Sequence, residues 1–325
     1  MLRAAAAACR WFPGVRAAPT LETAEGLGAW LLRNQAAAHV QLSPTTDHRQ
    51  ATAILRALPA NAISSLAAHN LMFTALPQLP AATSLAIRLG SALQGWADLA
   101  RCFPQLRCLD CTSRALEMGD PAGLSSLSAL TSFRLVSPVP PADLECLLGS
   151  LPQLRRLSLA ATRLRSLPRT LSTLTALTYL LLRHPWGRDG PFRGWEHLAP
   201  LRQLEQLALV LAGVDSLAPV LAGLASLTRL CLTNNPVSGA GFQHLPPSLK
   251  SLQIRGARLA TVPEQLTALT ALEELALPSN HRLAAGWARL GQLTQLRRLD
   301  ISRTGLAWEC PELDALRAAG CQVVR

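Results

Sequence analysis

Aromatic rings, lysine and long apolar runs are all scarce in this chain of 325 residues. Rings make up 4% of it, with one tyrosine, although 49% of residues are apolar, mostly Leu and Ala. A globular core ordinarily leans on rings and β-branched side chains. Burial carried by one residue type at fixed intervals fits a stack of short repeats instead. Nucleic-acid binding needs a basic stripe interleaved with stacking aromatics, so the shortage of rings argues against a nucleic-acid partner. No run approaches the ~18–20 apolar residues of a membrane span, and none is expected. Lys250 is the only lysine, so the net charge of +11 is almost entirely arginine. That excess has two readings: a compositional bias toward Arg and Ala, or a preference for a protein partner with an acidic surface.

Catalytic and ligand-binding signatures are missing too. There is no P-loop and no Gly-rich dinucleotide motif, and carboxylates are few and separated. Seven histidines are scattered without ligand or triad spacing; His184 and His197 flank Asp189 and nothing completes them. Cys108-x-x-Cys111 looks like half a zinc site. On a strand, however, residues three apart point to opposite faces and cannot grip one ion. The sequence therefore predicts no enzyme, no catalytic residue, no metal and no cofactor.

What is present is a period. Leu154, Leu157 and Leu159 spell Leu-x-x-Leu-x-Leu, followed by Thr162-x-Leu164-x-x-Leu167-Pro168-x-x-Leu171-x-x-Leu174, and Leu177 opens the next copy. Copies open at Ala82, Leu106, Leu130, Leu154, Leu177, Leu204, Leu227, Leu249, Leu272 and Leu296. The steps between them are 24, 24, 24, 23, 27, 23, 22, 23 and 24 residues. A strand and a return limb in one short unit is the leucine-rich-repeat pattern. Over residues 80–325 the chain resembles the intracellular leucine-rich-repeat family. Its Leu167-Pro168 and Val262-Pro263 returns are similar to the Ras-group type of plant and animal cells. Other copies return through Gly95-Trp96, Gly194-Trp195, Gly286-Trp287 or Gly241-Phe242, and the usual Asn after the strand survives only as Asn235 and Asn280.

The resemblance implies an α/β solenoid curved as a horseshoe, with a parallel β-sheet on the concave face and loops and short helical turns on the convex face. It also implies a non-catalytic protein-interaction scaffold, expected to be monomeric. Three roles belong to such relatives: substrate recognition in a ubiquitin ligase, cytoskeletal or axonemal docking, and, less in keeping with this chain, immune-type sensing. Secreted relatives flank the array with disulfide-bonded caps, yet residues 40–80 hold no cysteine. That favours a reducing, intracellular setting, expected to be the cytoplasm, with the cytoskeleton or ciliary axoneme, or an organelle if residues 1–20 are a targeting segment, as alternatives.

Residues 1–20 carry three arginines and no acid, and are either a disordered start or a targeting segment. Residues 21–80 are expected to form a helical N-terminal cap. In it, Leu21, Ala24, Leu27 and Leu31 share one helix side, and Ser43-Pro44 opens a second helix that Pro59 ends. Residues 81–325 form the array of about ten copies. A short helix from Pro311 to Ala319, then Val323-Val324 as a last strand, closes it.

Side chains alternate across a strand, so in 156–160 Leu157 and Leu159 face the core while Arg156, Ser158 and Ala160 face out. The outward columns hold seven arginines against three acids. Either Arg is simply the local surface residue or these columns recognise a partner. The candidate protein-binding residues are Arg134, Arg156, Ser158, Tyr179, Arg183, Gln206, Arg229 and Arg255. Tyr and Arg are frequent interface anchors. The longest copy inserts HPWGRDGPFRGW, whose Trp186 and Phe192 are either an exposed contact or folded back on the array.

Overall fold

The computed structural model describes residues 15–69, 71–89, 96–113, 121–162, 164, 166–183, 193–306 and 310–325. They fall into two compact units, Met1–Leu154 and Arg155–Arg325.

The first unit holds β1 (Val15–Ala17), β2 (Ala38–Gln41), β3 (Ile63–His69), β4 (Ser84–Leu89), β5 (Cys108–Ser113) and β6 (Ser132–Val136). Each pairs in parallel with the next. Helices α1 (Leu21–Asn34), α2 (His48–Ala57), α3 (Trp96–Cys102) and α4 (Pro141–Gly149) serve as return limbs. The parallel strands thus begin well before residue 81. Residues 21–80 are not a purely helical cap, and residues 15–17 are already a strand. The reason is that Val40-x-Leu42 and Leu66-x-Ala68 supply the same buried alternation as Leu85-x-Ile87, and the register aligns Val40 with Leu66 and Leu66 with Leu85.

Two details of the helices also differ from expectation. The first helix buries Ala24, Leu27, Gly28 and Leu31, while Leu21 is exposed. The second starts at Asp47, not Ser43. Asp47 immediately precedes the helix, and its carboxylate accepts from the Gln50 N–H at 2.8 Å, satisfying one of the unpaired first-turn donors. Ser43 instead pairs its hydroxyl with that of Thr45 at 2.9 Å.

The second unit holds β7 (Arg156–Ala160), β8 (Tyr179–Arg183), β9 (Gln206–Val210), β10 (Arg229–Cys231), β11 (Ser251–Gln253), β12 (Glu274–Ala276), β13 (Arg298–Asp300) and β14 (Gln322–Val324). These too pair in parallel in chain order. Their returns are 3-10 turns, except for α5 (Pro311–Ala318) before the last strand. Gly320, at φ 88°, ends α5. Leu157, Leu180, Leu207, Leu230, Leu252, Leu275 and Leu299 stack as one buried column. Each fully buried leucine contributes about 1.5–3 kcal/mol, available only once its neighbours are in place.

Successive copies in this unit alternate between two designs. The copies opening at Leu154, Leu204 and Leu249 start their 3-10 turn with Pro168, Pro219 or Pro263. Those opening at Leu177, Leu227 and Leu272 start it with Gly194, Gly241 or Gly286, all left-handed at φ 86°, 85° and 87°. The two designs interlock. The N–H groups of Leu167, Leu217 and Val262 donate to the carbonyls of Arg193, Ala240 and Ala285, at 3.0, 3.1 and 2.9 Å. The backbones approach so closely that a Cβ on Gly241 would collide with the Leu217 carbonyl. Only glycine combines that φ with that approach.

Asparagine ties the same pairs at the other corner. Asn235 Oδ1 accepts from the N–H groups of Ala212 (2.9 Å) and Val214 (3.2 Å), while its Nδ2 donates to the Leu209 (2.7 Å) and Thr233 (3.2 Å) carbonyls. Asn280 repeats the arrangement with Ala257 N–H (2.9 Å) and the Ile254 (2.7 Å) and Leu277 (2.9 Å) carbonyls. An asparagine in a Gly-type copy thereby satisfies the turn of the Pro-type copy before it, where alanine stands. Missing asparagines at 212 and 257 therefore leave no gap. Thr162 is fully buried, and its hydroxyl finds no partner among the described residues.

Candidate functional site

Outward-facing side chains of the second unit form aligned columns because the strands pair without a shift. One column runs Arg156, Tyr179, Gln206, Arg229, Ser251, Glu274 and Arg298. A second runs Ser158, Leu181, Ala208, Cys231, Gln253, Ala276 and Asp300. A third places Ala160, Arg183 and Val210 side by side, with Arg255 just past β11. Strands lie about 4.8 Å apart, and first and third columns are separated by about 13 Å. Of the candidate residues, Arg156, Ser158, Tyr179, Arg183, Gln206 and Arg229 share four adjacent strands, and Arg255 lies one strand beyond.

The guanidinium of Arg156 sits over the Tyr179 ring, 4.4 Å from its centroid. A cation–π contact of this kind holds both side chains in one geometry. The guanidiniums of Arg183, Arg229 and Arg255 are exposed and have no ion-pair or hydrogen-bond partner among the described residues. The nearby acids are engaged: Glu274 accepts from the Ser251 hydroxyl (3.1 Å), and Asp300 from the Ser302 hydroxyl (2.8 Å) and N–H (3.0 Å). Guanidiniums without a direct partner thus flank a small apolar centre of Leu181, Ala208 and Val210.

Arg134 does not join this group. It belongs to the first unit, and its guanidinium pairs with Asp110 at 3.3 Å. The register places it beside that acid, which could be read from the 24-residue step between the two positions. Trp186 and Phe192 lie outside the described residues.

The outward face of the first unit has a different chemistry. Its corresponding column is Arg16, His39, Ser65, Ser84, Cys108 and Ser132. His39 Nδ1 and the Ser65 hydroxyl share a 2.7 Å hydrogen bond beside a hollow of about 420 Å³ lined by Arg16, His39, Gln41 and Ser65. Cys108 is exposed, whereas Cys111 fills a core slot and its thiol pKa is pushed far up by burial, with the Asp110 charge adding to it. The two sulfurs thus sit on opposite faces. Among the described residues no group of three or more His, Cys, Asp or Glu is placed to hold a metal, and no helix is long and apolar enough to cross a membrane.

No protein-family profile matches the chain, and no curated protein does. Solved structures do. An internalin from Listeria monocytogenes aligns over 94% of this chain and 88% of its own length, with a TM-score of 0.56 at 16% identity. The leucine-rich-repeat ectodomain of a plant membrane receptor kinase from Arabidopsis thaliana aligns over 86% of this chain, with a TM-score of 0.51 at 21% identity. This chain spans 36% of that ectodomain.

The fold is a leucine-rich-repeat solenoid. In such a solenoid the outward strand residues carry no packing duty, so their composition is free to answer to a partner.

Proposed function

We propose that this chain is a non-catalytic scaffold that captures a protein partner on the outward face of β7 to β10. The observation that carries this reading is the set of unpartnered guanidiniums, Arg183, Arg229 and Arg255, beside the stacked Arg156–Tyr179 pair. Arginine and tyrosine anchor interfaces because each combines apolar area with directional hydrogen bonding. Uncompensated positive charge selects an acidic surface and speeds encounter with it. A cytoplasmic, reducing setting suits the thiols of Cys102 and Cys111, each filling a core position singly.

The test is affinity capture from the native cell with the wild-type chain and with Arg156, Arg183 and Arg229 all changed to Glu. The reversal is expected to lower partner affinity at least about 100-fold. Thermal unfolding should not change, because all three side chains are exposed. Undiminished capture by the reversed chain rules out this face as the docking site.

A further inference from the structure

In the second unit the residue that follows the outward column at each strand end is left-handed wherever it is described. Ala161, Leu211, Asn234, Gly256, Ser279 and Arg303 have φ of 56°, 52°, 55°, 63°, 60° and 58°. The repeat imposes this conformation. The N–H groups of Ala161, Leu211, Asn234, Gly256 and Ser279 donate to the carbonyls of Arg183, Thr233, Arg255, Pro278 and Ser302 in the next copy, at 2.6–3.0 Å. Glycine and asparagine tolerate this backbone, and a bulky apolar side chain does so least readily. Leu211 is nevertheless a leucine, and 43% of it is exposed. Neither backbone preference nor burial accounts for that choice.

Its surroundings supply a reason. Leu211 follows Val210, which pairs with Arg183 on one side, and its N–H bonds to Thr233 on the other. Arg255 lies one copy further, and Leu181 and Ala208 continue the apolar spot inward. A side chain left exposed on a strained backbone, one residue past the strand position paired with Arg183, is placed for contact rather than for packing. We infer that Leu211 is the apolar anchor of the binding face, and that the partner presents an acidic segment carrying one aliphatic side chain that covers it. This inference rests on the reading of the face given above. It adds the requirement that charge alone is not enough.

The experiment uses the full chain and two synthetic peptides of Glu and Asp, one with a single central leucine and one with serine in its place, followed by fluorescence anisotropy. The leucine peptide is expected to bind the wild type about tenfold more tightly, as covering part of one leucine would give. In Leu211→Asn the ratio of the two affinities should fall to about one, with the thermal midpoint unchanged or raised, since Asn already occupies the equivalent Asn234 position. Leu211→Met should keep the preference. Equal binding of the two peptides by the wild type, or a preference that survives Leu211→Asn, overturns the anchor. Reversal of Arg183 and Arg229 to Glu separates the two readings. If it weakens both peptides while the leucine makes no difference, the basic face stands and the anchor falls. If it weakens neither, or if neither peptide binds, both fall.

Discussion

In the Met1–Leu154 unit, β3, β4 and β5 run for 7, 6 and 6 residues, and the chain returns largely through helices. Among the described residues of the Arg155–Arg325 unit no strand exceeds 5 residues, and all returns but one are 3-10 turns. The same column of buried apolar residues runs through each, so burial does not explain the contrast. The corner does. Leu89 and Ser113 stay extended at the strand end where Ala161 and Leu211 turn left-handed. A left-handed residue stops a strand, and it then needs a hydrogen-bonding group beneath it, which Asn235 and Asn280 provide. The unit with the pinned corners also carries more of the outward arginines that lack an ion-pair or hydrogen-bond partner among the described residues, Arg183, Arg229 and Arg255 among them. The unit with extended strands has a face rich in small hydroxyls, where Arg134 pairs with Asp110 while Arg88 is exposed without a partner among the described residues.

The largest effect that would sharpen this contrast comes from the buried column. Leu157→Asp puts a carboxylate where nothing is exposed and should destabilise the second unit by more than about 4 kcal/mol. Hydrogen exchange should show amides of β7 to β9 losing protection while those of β1 to β5 keep theirs. Equal loss in both sets would break the division into two units.

Next in size is the interlock between paired copies. Gly241→Ala should cost about 3 kcal/mol, from the collision with Leu217 and the left-handed backbone together. Gly291→Ala, with nothing within 4 Å of the new methyl group, should be neutral or slightly stabilising. Urea midpoints of the two variants check this, and a mild Gly241→Ala would mean that the Pro-type and Gly-type copies are not locked.

Asn235→Ala should cost a similar or slightly smaller amount, about 2–3 kcal/mol, because it removes the side chain that accepts from the Ala212 and Val214 N–H groups and donates to the Leu209 carbonyl. The smallest change, and the one of opposite sign, is Thr162→Val. It removes a buried hydroxyl with no partner among the described residues and should raise stability by up to about 1 kcal/mol. A destabilised Thr162→Val would show that the hydroxyl is engaged after all.

Much of this was legible in the residues. Within each unit the pairing register equals the register read from leucine spacing, as in Arg156 beside Tyr179 and Tyr179 beside Gln206, because a one-residue slip would turn every leucine outward. The strands before residue 81 were hidden, since Val40, Leu42, Leu66 and Ala68 lie between helical stretches and interrupt the period. The alternation of Pro-type and Gly-type returns was visible as motifs, but its purpose was not. Asn235 appears in sequence as a relic of a lost ladder, and only contact with Ala212 in the copy before shows that one asparagine serves two turns.

The sequence by itself determined the repeat, the buried column and the identity of the outward residues, since these follow from alternation and spacing along one strand. Tertiary structure alone decided which outward charges remain free. Asp110 takes Arg134, the Tyr179 ring holds Arg156, and Arg183, Arg229 and Arg255 are left without a partner among the described residues. It also decided that Leu211 stands exposed in a left-handed corner. Those outcomes depend on which side chains neighbouring copies bring within a few ångströms, and that is a property of the stack, not of any single copy.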